Sequence, residues 1–114
     1  MKICVKKVGE NLTVQHIKSY SPDVTLRSLQ GIVNGYIESV NYNGIDGVLI
    51  ICNEEGNLKG LKPNFFNGNQ IIVGDVAFVR SGKEDFEELT DKQIDILLKR
   101  FATRPSKKRE GDKK

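Results

Sequence analysis

Gly47-Val48-Leu49-Ile50-Ile51-Cys52-Asn53 holds the most continuous apolar run in the chain. Five successive apolar side chains leave no polar face, so the run reads as a central strand covered on both sides. Upstream, Gly35 to Tyr42 alternates: Tyr36, Glu38, Val40 and Tyr42 share one phase, Ile37, Ser39 and Asn41 the other. Asn43-Gly44 and Asp46-Gly47 supply a turn between the two strands. Farther back, Leu26, Leu29 and Val33 fall at i, i+3 and i+7, one apolar face of a short helix. Asp23 or Thr25 is expected to cap its start, and Asn34-Gly35 to end it in the left-handed conformation. Lys2 to Val8 and Leu12 to Ile17 alternate around a Gly9-Glu10-Asn11 turn and read as a hairpin. Downstream of the run, Glu54-Glu55-Gly56-Asn57 reads as a turn, Leu58 to Leu61 as a short extended piece, and Pro63 to Gly68 as a loop stiffened by its proline. Ile71–Val73 and Val76–Val79 read as strands around Gly74-Asp75. Thr90-Asp91-Lys92-Gln93 fits a capping box, followed by Ile94, Leu97, Leu98 and Phe101 at helical spacing.

The order β-β-α-β-β, a loop, one or two short strands, then α lacks the regular alternation of a parallel α/β fold. It predicts an α+β fold: a mostly antiparallel sheet of about five to six strands with two helices packed on one face. Residues 1–102 are expected to form one domain. Residues 103–114 have nothing apolar to bury and read as a basic disordered tail.

The charge is unevenly placed. Residues 99–114 carry eight basic side chains against Glu110 and Asp112, whereas residues 1–98 carry 10 basic and 13 acidic ones. The body is therefore mildly acidic, which argues against a folded face built to grip nucleic acid. No apolar run approaches the roughly 18 residues that span a bilayer, and the basic N-terminus lacks the apolar stretch of a signal peptide. The expected location is the host cell cytosol, with no membrane partner. Cys4 and Cys52 sit in apolar strands and read as buried free thiols; they make neither a disulfide framework nor a C-x-x-C site. His16 is the one histidine in the chain and reads as a surface strand residue.

Nothing in the sequence marks catalysis. It has no P-loop, G-x-G-x-x-G, G-x-S-x-G or H-E-x-x-H motif. The carboxylate pairs Glu54-Glu55, Glu84-Asp85 and Glu87-Glu88 fall in polar turns, where solvated surface explains them. The expectation is a protein that is not an enzyme and needs no cofactor or metal.

Three stretches carry a family resemblance. They are Leu29-Gln30-Gly31-Ile32-Val33-Asn34-Gly35-Tyr36-Ile37-Glu38, Cys52-Asn53-Glu54-Glu55-Gly56-Asn57-Leu58, and Leu61-Lys62-Pro63-Asn64 with the later Ile72-Val73-Gly74-Asp75 and Asp85-Phe86…Leu89-Thr90-Asp91…Gln93-Ile94. In order and spacing they resemble the family called domain of unknown function 3846, over about residues 1 to 101. Asn34 stands where that family usually has a first glycine, and Phe65 follows Pro63-Asn64 where a basic residue is common. The basic tail looks like an addition. The resemblance implies a protein of bacteriophages, plasmids or other mobile elements, and small phage proteins without catalytic residues often act by binding and blocking something in the host.

The expected ligand-binding residues are Gln30, Tyr36, Glu38, Asn53 and Asn64. In a functional reading they offer amides, a ring to stack a base, and a carboxylate for ribose hydroxyls, and so suit a nucleotide-derived host immune signal that the protein would sequester. In a structural reading Gly35 caps the helix, Tyr36 is half-buried packing with a wet hydroxyl, Glu38 faces solvent, and Asn53 belongs to a hairpin turn. A phosphate-rich ligand on an acidic body would need Lys59, Lys62 or Arg80 to converge locally. A homodimer with a pocket between subunits fits the same reading. Two rivals stand beside it: a module that blocks or adapts a host or phage protein through a sheet edge or the Phe65-Phe66 segment, and a DNA-associated accessory protein. The latter would use the tail for weak, nonspecific nucleic acid contact that falls with salt.

Overall fold

In the computed structural model, which describes residues 1–102, the chain runs through ten elements. They are β1 (Lys2–Lys6), β2 (Thr13–His16), α1 (Pro22–Val33), β3 (Ile37–Asn41), β4 (Val48–Asn53), β5 (Pro63–Asn67), β6 (Gln70–Val73), β7 (Val76–Ser81), β8 (Phe86–Glu87) and α2 (Asp91–Arg100). Strands lie in the order β2-β1-β7-β4-β3, every pair antiparallel, and the two-residue β8 joins β7 to complete a six-stranded sheet. The α+β class with a mostly antiparallel sheet is as expected. β5 and β6 stand apart as a two-stranded hairpin. The expected basic tail lies outside the described residues.

Alternation along the strands sorts the core into two layers. Cys4, Ile50, Cys52 and Phe78 point to one face, where Ile94 and Leu97 of α2 and Ile72 of β6 cover them. Ile3, Val5, Ile51, Ala77 and Val79 point to the other, beneath Leu29 and Val33 of α1. The two helices thus take opposite faces, not the single face expected. The reason lies in β4 and β7. Every residue of β4 except the half-buried Leu49 is buried, as are Val76 to Val79 of β7, and one layer of helices leaves the other side of such strands wet. On the α2 face Phe78 anchors an aromatic cluster, with ring centroids 5.6 Å from Tyr42, 5.7 Å from Phe65 and 5.5 Å from Phe101.

Four local expectations are corrected. The cap of α1 is Ser21, whose hydroxyl accepts the Val24 N–H at 3.3 Å, not Asp23 or Thr25. Pro22 follows it in the first turn, where a missing N–H costs nothing. The inward stripe is Thr25-Leu29-Val33, and Leu26 is 39% exposed. The 58–61 piece is not extended: Lys59 N–H donates to Glu55 O at 2.9 Å and Leu61 N–H to Gly56 O at 3.0 Å, with Gly60 at φ 67. Pro63–Asn67 is a strand and not a loop. It starts at its proline, the position in a strand that tolerates a missing donor, and shifts register between Pro63 and Phe65.

Candidate functional site

The end of α1 sets the site. Asn34 adopts φ 61 and its N–H returns to Gln30 O at 2.8 Å, a left-handed stop. Gly35 then passes so close to Asn53 that an added Cβ would lie 2.7 Å from its Nδ2. Asn53 is buried, and its amide is fully engaged. Nδ2 donates to Val33 O at 3.0 Å and Asn34 O at 3.4 Å, and Oδ1 accepts the Glu55 N–H at 2.8 Å. Asn53 therefore ties the helix end, β4 and the 54–60 turn into one corner. The Glu54 N–H donates to Tyr36 O at 2.9 Å and holds the Tyr36 backbone on that corner.

The Tyr36 side chain is 71% exposed, so it is not the half-buried packing of the structural reading. It lines a cavity of about 250 Å³ with Gln30, Gly35, Glu55 and Lys59. Glu55 and Lys59 form an exposed ion pair at 3.5 Å. A second cavity of about 240 Å³ opens at the tip of α1, with Asn34, Lys59, Lys62 and Asp75 among its walls. Lys59 belongs to both. Lys59 and Lys62 thus converge, whereas Arg80 is held away by Glu87 at 2.9 Å and by Glu88 O at 2.9 Å.

The five expected site residues do not form one pocket. Gln30 and Tyr36 share a cavity, and Asn53 lies under its corner and in the wall of the second. Glu38 opens with Gln70 onto a depression of about 40 Å³, which Asn53 also lines and which Gln30, Tyr36 and Asn64 do not. Asn64 is a latch between elements: Nδ2 donates to Lys6 O at 2.9 Å and Gly74 O at 2.8 Å, and Oδ1 accepts from Lys6 Nζ at 3.1 Å. Both amide hydrogens are committed, and the latch holds the β5–β6 hairpin to the main sheet. Asn34 and Glu55 were not foreseen as lining residues; the i, i+4 spacing of Glu55 and Lys59 was the available signal.

Cys4 and Cys52 are buried free thiols. Burial pushes both up to about 11 from an ordinary 9.0, with Glu38 adding to the shift at Cys52. At neutral pH neither is a thiolate nucleophile. Among the described residues no three His, Cys, Asp or Glu side chains gather to hold a metal, and no helix is long and apolar enough to cross a membrane.

The family model of a domain of unknown function (DUF3846) matches residues 1–102. No curated protein and no solved structure matches the chain.

Proposed function

As the chain belongs to the DUF3846 family, a domain of unknown function, we propose that it is a non-catalytic protein of a phage, plasmid or other mobile element that captures a nucleotide-derived host immune signal in the host cytosol and keeps it from its receptor. The observation that carries this reading is the exposed Tyr36 ring on a rigid corner beside Gln30 and Lys59. A bare aromatic face offers a base about 1–3 kcal/mol of stacking. The Gln30 amide makes no hydrogen bond among the described residues and is open to a base edge. Lys59 and Lys62 supply cations beside it on a body of mildly acidic net charge.

Native mass spectrometry after mixing with small-molecule extract of infected bacterial cells tests the reading. A retained nucleotide mass, recovered chemically unchanged on denaturation and lost in Tyr36→Ala, is the expected result. A bare protein at every extract condition sinks it, and a cleaved or transferred product overturns the non-catalytic part.

A second reading rests on the hairpin. Phe66 and Ile71 face each other across β5 and β6, 70% and 47% exposed, and such an apolar pair suits contact with a host or phage protein. Phe66→Ser abolishing a protein pull-down while sparing nucleotide capture would favour it. The reading in which the tail contacts DNA concerns residues outside those described. Deletion of residues 103–114 with loss of all binding would favour that one.

A further inference from the structure

A third cavity, of about 330 Å³, lies on the flank of α1 beside the β1–β2 hairpin, walled by Lys7, Gln15, Ser28, Asn34 and Asp75 among others. Asn34 and Asp75 are also walls of the cavity at the helix tip, just as Lys59 joins that cavity to the one under Tyr36. The three therefore adjoin as a series around the C-terminal end of α1, each sharing wall residues with the next. Each cavity alone falls below or near the bottom of the roughly 300–1,000 Å³ range of ligand pockets, and jointly they lie well inside it.

The chemistry along this series is ordered. One end has the Tyr36 ring and Gln30 amide. The middle has Lys59 and Lys62. The far end has Gln15, Lys7 and Asp75, whose Oδ1 accepts the Val8 N–H at 2.9 Å while the second oxygen remains for a hydroxyl. A helix C-terminus ordinarily repels an anion. Here part of that end is engaged: Gln30 O accepts two N–H groups, from Asn34 at 2.8 Å and Gly35 at 3.3 Å, and Asn53 Nδ2 caps Val33 O and Asn34 O. Lys59 and Lys62 bring positive charge to the middle cavity, beside Asp75 in its wall and the Glu55 paired with Lys59.

Resting on the nucleotide reading of the site, we infer that its ligand is two-ended, a dinucleotide with one base on Tyr36, its bridging phosphates at Lys59 and Lys62, and its second nucleoside between Asp75 and Gln15. A carboxylate facing a ribose hydroxyl is the usual acidic partner of a bound dinucleotide.

Calorimetric titration with the four 5′-mononucleotides and the matching symmetric dinucleoside diphosphates tests this. The expected result is a dinucleotide bound at least tenfold more tightly than its mononucleotide. Lys7→Ala/Gln15→Ala, two exposed positions, should remove most of that advantage and leave mononucleotide affinity unchanged, while Tyr36→Ala weakens both. Equal affinities, or a double variant without effect on the dinucleotide, overturns the two-ended ligand and leaves the nucleotide site standing. No binding by any member of either set sinks the nucleotide reading together with this one.

Discussion

Asn53 and Tyr36 lie on either side of the same corner and divide its work. Asn53 makes three internal hydrogen bonds while buried. Asn53→Ala leaves the Val33 carbonyl and Glu55 N–H without their partner, and a loss of about 2–3 kcal/mol in urea unfolding is expected. Tyr36→Ala removes an exposed ring and should change stability by no more than about 0.5 kcal/mol, so any loss of ligand affinity reports the site. The cysteines give a pH test. Both folded thiols titrate near 11 against an ordinary 9.0. The unfolded chain thus releases these protons first, and the stabilisation is complete below pH 9 and lost as pH rises toward 11. Urea midpoints at pH 7, 9 and 10.5 should hold and then fall, and replacing both cysteines by alanine should flatten that fall. At this scale the sequence shows residue type and not engagement. Asn34, Asn53 and Asn64 carry the same amide, but the hydrogen bonds of the last two come from segments up to 58 positions away.

Among the elements, the start of α2 was readable and so was its inward pair Ile94 and Leu97, whereas Leu98, expected on the same apolar face, is 39% exposed. Thr90 accepts the Gln93 N–H at 3.1 Å and Gln93 Oε1 accepts the Thr90 N–H at 2.9 Å, the capping box its four residues announce. Thr90→Ala should cost about 0.5–2 kcal/mol in thermal or urea unfolding, with Thr90→Ser restoring most of it. Such a box is local, made within one turn. The β5–β6 hairpin was not readable, because Pro63 and Asn67-Gly68 look like loop chemistry and the strand between them is made by pairing with Gln70–Val73. Asn67 also reaches across, accepting the Asn43 N–H at 2.9 Å and donating to Asn41 O at 3.0 Å. The caps of α1 show the same division. Its stop at Asn34 follows from one residue's tolerance of positive φ, whereas its inward stripe, with Thr25 in and Leu26 out, depends on which face the sheet presents.

For the whole molecule, β4 and β7 are shared by both core layers, so a void on one side is felt on the other. Phe78→Ala removes the centre of the aromatic cluster and should cost about 3–5 kcal/mol. Unfolding should remain a single transition by both circular dichroism and fluorescence. Alternation, apolar runs and turn residues are local patterns set by the chain's own geometry. By themselves they determined the α+β class, the antiparallel hairpins, the burial of Val48 and Ile50–Cys52 and of both cysteines, and the exposure of His16. Tertiary structure alone decided that the helices lie on opposite faces, that β7 is inserted between β1 and β4, and that Lys59 meets Tyr36 and Gln30 at the end of α1 with Lys62 in the adjoining cavity. These are pairings across long sequence separations. They are chosen because two doubly buried strands must be covered from both sides, a condition no single segment of the chain can satisfy.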